Sequence, residues 1–316
     1  MIPYSLDLRG SIEIAMLPPA RFSGFIACVG LLVLVVNAGC GGSGGSGGGG
    51  GASNPPPTSA HVVLVVEENH SYSQVIGNSA MPYLNGLASK YGLATQYYAN
   101  VHPSIGNYFM LTAGRIETVD DSFGGTITDD NIVRELVKAN KTWRSYAESL
   151  PQAGYLGGDV YPYLKRHNPV AYFSDVIGTS QASNVVPFSQ FSSDSGNGNL
   201  PDFSMIIPDA LHDAHDGSLA SADQWLSANI DPLIKSSGFQ NGGLLIVVFD
   251  ESVSSDMSHG GGHIAMLVVG PKVKSGHQST TFFQHESTLR LVLSTLGVNS
   301  FPGNAASAPD MGEFFK

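Results

Sequence analysis

Apolar runs that stop abruptly in clusters of acids and histidines set the pattern of this chain. His61-Val62-Val63-Leu64-Val65-Val66 runs into Glu67-Glu68-Asn69-His70-Ser71. Phe203-Ser204-Met205-Ile206-Ile207 runs into Pro208-Asp209-Ala210-Leu211-His212-Asp213-Ala214-His215-Asp216. Leu244-Leu245-Ile246-Val247-Val248-Phe249 runs into Asp250-Glu251. Short continuous apolar runs read as strands buried on both faces of a parallel sheet. In an open α/β sheet, ligands bind at the carboxyl ends of such strands. The three polar clusters are therefore expected to converge on one site.

Between these runs the periodicity turns helical. Pro82 to Tyr91 places Leu84, Leu87 and Ala88 on one face, and Gly92 stops it. Asp129 or Asp130 is expected to cap a helix over Ile132–Lys138. Trp143 to Leu150 reads as a helix or a helix–strand link, and Leu93 to Tyr98 as a strand. A helix opens at Ser221-Ala222-Asp223-Gln224-Trp225-Leu226, runs toward Ile234 and stops at Gly238. Ile264–Val269 is a further buried strand, and a last helix covers Thr288–Leu293 and ends by Gly297. The Ser/Asn/Gly-rich stretch 174–200 reads as loop with a short helix, suited to a lid or substrate-side insertion. Strands alternating with helices predict an α/β layered fold with a largely parallel sheet.

The N-terminus carries an address. Phe25 to Val36 is an apolar run of signal-peptide length behind Arg21, and Met16 is a credible start, because Asp7 and Glu13 are foreign to a signal's basic leader. Ala38-Gly39-Cys40 resembles a bacterial lipoprotein processing site, although Asn37 departs from the usual aliphatic residue. Residues 1–40 are thus expected to be a signal peptide, and lipidated Cys40 would tether the chain to a membrane. The Gly/Ser/Pro-rich stretch 41–58 is a flexible linker with a reach on the order of 20–25 Å. The catalytic domain is placed at 59–316, in an exported protein of the periplasm or cell surface.

Composition narrows the chemistry. Of 316 residues, 42% are hydrophobic, enough for one large core once the leader is set aside. The formal net charge is -11, and the acid excess lies downstream of the leader. Such a surface argues against nucleic-acid binding. It leaves a phosphate substrate open, because a bound cation inverts the local field. Both cysteines, Cys28 and Cys40, precede the domain. Thiolate chemistry is excluded there, and any metal must be held by oxygen or imidazole ligands. No protein partner is evident.

The segment His102-Pro103-Ser104-Ile105-Gly106-Asn107-Tyr108 leads into an apolar stretch. A hydroxyl at a helix start gains from the backbone amides and positive dipole end there, and those amides can hold phosphate. Ser104 is the candidate nucleophile, and Asn107, one turn on, a candidate phosphate donor. The plain alternative is that Ser104 only caps a helix.

Taken in order, several motifs resemble one family. They are Glu68-Asn69-His70-Ser71-Tyr72, Met81-Pro82-Tyr83-Leu84-Asn85, His102-Pro103-Ser104, His212-Asp213-Ala214-His215-Asp216, Asp223-Gln224-Trp225-Leu226, Phe249-Asp250-Glu251, Val268-Val269-Gly270-Pro271 and His285-Glu286-Ser287. Over residues 60–300 the chain resembles the bacterial phosphoesterase family that contains acid phosphatases and phosphatidylcholine-type phospholipases C. The resemblance implies an alkaline-phosphatase-like three-layer fold with a central, mostly parallel sheet. It implies a divalent metal ion surrounded by Glu68, Asn69, Ser104, Asp250 and Glu251. His102, the His212–Asp216 cluster, His263 and His285 would line the rest of the site, and within the cluster His212, Asp213 and His215 are favoured. The His-Pro-Ser form leans toward the phosphatase branch.

The reaction this implies is hydrolysis of a small phosphate monoester through a phosphoserine intermediate. A diesterase or phospholipase C acting on lipid headgroups keeps the same metal and Ser104, and a tethered, non-enzymatic binding domain is the other alternative. Duller roles are assigned elsewhere. Glu67 is expected to be structural or exposed. His61, His167 and His277 are expected to be solvated, His70 and His259 fall outside the site, Asp209 is held in reserve, and Trp225 is read as core.

Overall fold

The structure is a computed structural model and describes residues 55–316. The expected signal peptide and most of the expected linker lie outside these residues. In chain order the elements are β1 (Val62–Glu67), α1 (Tyr72–Val75), α2 (Pro82–Lys90), β2 (Gly92–Ala94), α3 (Ser104–Ala113), α4 (Ile132–Lys138), β3 (Trp143–Ala147), β4 (Val185–Pro187), α5 (Ser189–Gly196), β5 (Phe203–Ile207), α6 (Leu219–Lys235), α7 (Ser237–Gln240), β6 (Leu244–Phe249), β7 (Met266–Val269), β8 (His277–Ser279) and α8 (His285–Thr295).

The strands form one eight-stranded sheet in the order β4-β3-β5-β1-β6-β7-β2-β8. β7 runs antiparallel to β6 and β2, and every other neighbouring pair is parallel. The fold is thus the expected three-layer α/β arrangement, with α3 packed on α8 and α2 packed on α6. β1 lies at the centre, in register with β5 (Val65 beside Ile206) and β6 (Glu67 beside Phe249). All of its side chains are buried, which is why it shows no alternation. Burying each such Val or Leu stabilises the fold by roughly 1.5–3 kcal/mol before the entropy of ordering is counted. Because β1, β5 and β6 are parallel and adjacent, the polar residues that follow them emerge together at one edge.

Three expectations change. Trp143–Ala147 is a strand between β4 and β5, not a helix. Its pattern is masked by polar residues that are satisfied only across the fold. Ser145 donates to Asn168 Oδ1 at 2.9 Å, and the Arg144 guanidinium donates to the Asp194 carboxylate. Segment 174–200 is no lid: it supplies the edge strand β4 and the helix α5 that packs on β3 and β4. The cap of α4 is Asn131, whose side chain accepts from Arg134 N at 3.1 Å.

Candidate active site

Glu68 follows the last residue of β1. Asn69 then takes a left-handed backbone (φ 54°), which asparagine tolerates better than most residues. This turn aims the Asn69 amide N–H at Asp250 Oδ1, 3.0 Å away, just past β6. Ser104 is the first residue of α3, directly after Pro103. Its hydroxyl donates to Glu68 Oε2 at 3.1 Å and lies 3.3 Å from Asn69 Oδ1. The parallel strands and one helix start thus bring Glu68, Asn69, Ser104 and Asp250 into a single cluster.

The loop after β5 closes the other side. Glu68 N donates to Asp213 O at 2.7 Å, which ties that loop to the end of β1. His167 comes from a short 3-10 turn over Lys165–His167. Its Nδ1 is 3.2 Å from Asp213 Oδ2 and its Nε2 is 3.4 Å from Glu68 Oε1. Tyr108, one turn into α3, donates its hydroxyl to Glu68 Oε1 and stacks on the His167 ring. Glu68, His167 and His215 each offer a ligand atom within 4.8 Å of the others. His167 is therefore no solvated loop residue: it is buried at the site. Nothing in the Lys165-Arg166-His167 triplet announces this, because it follows no strand and its burial depends on Tyr108 and Asp213.

Glu251 and His102 sit behind Ser104. His102 Nδ1 lies 3.1 Å from Glu251 Oε2, and His102 Nε2 is 3.0 Å from Asp256 O. Asn107 bonds to the protein at both ends of its amide. Its Oδ1 accepts from Asn100 N and Val101 N at 3.0 and 3.2 Å, while Nδ2 donates to Val101 O and Glu251 Oε2. These bonds pin the loop that leads into Ser104, a positioning role beside the expected one of phosphate donor. His285 is buried beneath Asp250, with Nε2 2.6 Å from the Asp250 carbonyl and Nδ1 3.2 Å from Tyr97 OH. It supports the end of β6. His263 stacks between Tyr72 and Tyr98, with Nε2 3.0 Å from Thr95 O, so it is committed to packing. His212 stands at the rim, its Nδ1 3.0 Å from Glu148 Oε2 and 3.2 Å from Asp209 Oδ1.

The electrostatics are one-sided. Burial pushes Glu68 well above the usual carboxylate range, and Asp250 and Asp213 add to this. Burial also raises Asp250, lifts Asp213 to about 7 and, with the neighbouring Asp250 and Asp121 charges, lifts Glu251 to about 9. Burial lowers His167 to about 3 and His285 to about 4. Among the described residues, no lysine or arginine pairs with Glu68, Asp213, Asp250 or Glu251. Two buried atoms, Asp250 Oδ2 and His167 Nε2, also have no hydrogen-bond partner. Buried polar groups without partners are rare and call for an explanation. An oxygen- and imidazole-rich pocket with unspent lone pairs fits a divalent cation. Glu68, Asn69, Asp250 and Ser104 would hold it, with His167 and His215 within reach.

The family model of the phosphoesterase family matches residues 78–299. The chain belongs to the phosphoesterase family. It is 33% identical over 259 residues to a phosphatidylinositol-3-phosphatase of Mycobacterium tuberculosis, covering 80% of this chain and 81% of that protein. It is 30% identical over 246 residues to an acid phosphatase of Aspergillus fumigatus, covering 74% of this chain and 54% of that protein. The phosphoesterase thus spans about half the length of this fungal relative. Among solved structures, a protein of the alkaline phosphatase superfamily from Vibrio parahaemolyticus superposes with a TM-score of 0.57 at 15% identity, covering 81% of this chain and 72% of that one. Murine ectonucleotide pyrophosphatase/phosphodiesterase 5 superposes with a TM-score of 0.54 at 10% identity, covering 81% and 100%. These likenesses carry the fold, which is alkaline-phosphatase-like. The family and its phosphatases make this phosphoesterase a hydrolase of phosphate esters.

Proposed function

We propose that this phosphoesterase is a divalent-metal-dependent phosphomonoesterase in which Ser104 attacks phosphorus and forms a phosphoserine intermediate. The observation that carries this reading is the Ser104 hydroxyl, buried at the start of α3 and hydrogen-bonded to Glu68 in a cluster of acids with which no lysine or arginine pairs among the described residues. A bound divalent cation would lower the cost of the Ser104 alkoxide and neutralise charge on the phosphoryl oxygens. The chain's own groups do the rest. Glu68 Oε2 accepts the hydroxyl hydrogen and orients Oγ, and the α3 amides favour developing negative charge. Tyr108 fixes the other Glu68 oxygen. His212, its Nδ1 held by Glu148, would protonate the leaving alkoxide from Nε2.

The monoester preference is supported by the two relatives above, both called phosphatases. Export, with anchoring through Cys40, rests on the leader sequence alone. The test compares 4-nitrophenyl phosphate with bis(4-nitrophenyl) phosphate, with and without chelator, for the wild type and Ser104→Ala. Monoester turnover lost with chelator and in Ser104→Ala is expected, together with an acid-quenched enzyme one phosphoryl group heavier at Ser104. Faster diester turnover would replace this reading with a phosphodiesterase. Mass spectrometry of the membrane-bound protein tests the lipid on Cys40, and an unmodified soluble product refutes the anchor.

A further inference from the structure

The carboxylate of Asp121 is seated, loosely, where an anion would face Ser104. Its Oδ1 lies 3.4 Å from the amide of Ile105, the residue after Ser104 in the first turn of α3. Its Oδ2 lies 3.9 Å from Nε of Arg166. Both distances exceed the 2.7–3.2 Å of an ordinary N–H···O bond. The Asp121 charge is felt inside the site, since it helps raise Glu251 and opposes the lowering of His167.

Arg166 is the cation of this corner. It precedes His167 on the same short turn, and its charge helps keep His167 neutral. The side chain is largely buried, 18% exposed. Nη1 lies 3.2 Å from Asp159 Oδ2, while Nη2 has no partner among the described residues. The start of a ten-residue helix and a guanidinium with a free edge are two complementary donors for a tetrahedral dianion. A single carboxylate spans them poorly. The Asp121 loop is exposed at Asp120, Asp121 and Ser122, so it can withdraw.

We infer that Asp121 is an internal competitor for the phosphoryl seat: the substrate's phosphoryl group displaces its carboxylate and takes both the Ile105 amide and the Arg166 guanidinium. This rests on the phosphoesterase reading centred on Ser104. The two residues then have opposite effects. Arg166 adds affinity for phosphate, and Asp121 subtracts it.

The experiment measures binding of inorganic phosphate by calorimetry to the metal-loaded protein, alongside its competitive inhibition of 4-nitrophenyl phosphate hydrolysis. Arg166→Lys and Arg166→Ala are expected to weaken phosphate by about tenfold or more, the loss of a charge-assisted bond. Asp121→Asn is expected to tighten phosphate several-fold and to lower KM with little change in kcat. If Asp121→Asn leaves phosphate affinity unchanged or weakens it, the competitor role is wrong. If Arg166→Lys, with its circular dichroism intact, binds phosphate as the wild type does, the seat is wrong. Should Arg166→Ala fail to fold, Asp121→Asn still decides, because that side chain is on an exposed loop. If no monoester is hydrolysed but phosphate affinity moves in these opposite directions, the seat stands and the reaction assignment fails.

Discussion

His167 Nδ1 and Asp213 Oδ2 lie 3.2 Å apart with both side chains buried. The contact joins a turn after β3 to the loop after β5. Burial lowers His167 to about 3 and keeps it neutral, with a single ring proton; an ionised Asp213 carboxylate beside Nδ1 draws that proton onto Nδ1. The Nε2 lone pair is left facing Glu68 Oε1 at 3.4 Å. Two lone-pair groups facing each other repel unless a proton or a cation lies between them. Asp213 therefore fixes which His167 nitrogen is free, as partners of metal-ligating histidines do.

Asp213→Asn is expected to fold and to lose about 10–100-fold in metal affinity or turnover. His167→Ala is expected to lose at least as much. Calorimetric titration with a divalent cation and kcat/KM for 4-nitrophenyl phosphate check both. Wild-type metal affinity in His167→Ala would remove His167 from the cation site.

Metal affinity is expected to depend steeply on pH. The protein without metal keeps Glu251 protonated up to about pH 9 and Asp213 to about pH 7, because burial and mutual repulsion disfavour their charged forms. Glu68 and Asp250, which would hold the cation, are raised by burial as well, so a cation displaces their protons and favours the ionised forms of Asp213 and Glu251 beside them; binding releases protons and tightens as pH rises. Titrations at pH 5.5, 7 and 8.5 in buffers of different ionisation enthalpy read both the affinity and the proton count. Affinity that is flat across this range, with no proton release, would falsify the account of these acids.

Much of this was legible because strand ends are loud in sequence. Glu68, Asp250 and Asp213 follow strongly apolar runs, and parallel pairing of β1, β5 and β6 does the converging. Ser104 was legible from a helix start after a proline. His167 was not, since its burial depends on Tyr108 and Asp213 from distant segments. Asn107 is legible from its spacing to Ser104 and His263 from its glycine-rich loop, but the sequence does not show that the fold bonds Asn107 to backbone at 100–101 and to Glu251, and His263 to backbone at 95. β3 was hidden because its polar side chains find partners at Asn168 and Asp194 that no local pattern reveals.

Glu148 is expected to act on catalysis through His212. Its Oε1 is held by Trp225 Nε1 at 3.0 Å, and its Oε2 takes Asp209 N at 3.1 Å and His212 Nδ1 at 3.0 Å. Asp209 is itself fixed by Ser149 Oγ at 2.6 Å. These carboxylates are spent on protein donors, which suits orienting an imidazole better than holding an ion. Glu148→Gln should slow alkyl phosphates, whose leaving group needs a proton, by about tenfold or more. It should slow 4-nitrophenyl phosphate far less, since that leaving group departs unaided. Equal slowing of both would reduce Glu148 to a structural role.

Glu67, the last residue of β1, is fully buried, and neither carboxyl oxygen has a hydrogen-bond partner. Burial, with the charges of Asp213, Asp223 and Glu148, holds its pKa well above the ordinary 4.5. Below that ordinary value the group is neutral in both the folded and unfolded chains, and no stability is lost. As pH rises, the unfolded chain ionises first, so the folded state loses stability until the pH passes the raised folded value. Glu67→Met, similar in length and without a charge to desolvate, removes this loss. It is expected to stabilise the chelated protein by about 1–3 kcal/mol near pH 8, the cost of an unsatisfied buried polar group, and by less near pH 5. Glu68, Asp250 and Glu251 are common to both proteins, so the difference between their urea unfolding curves isolates Glu67. A gain that stays constant or shrinks as pH rises would show that Glu67 finds a partner in solution or ionises with an ordinary pKa.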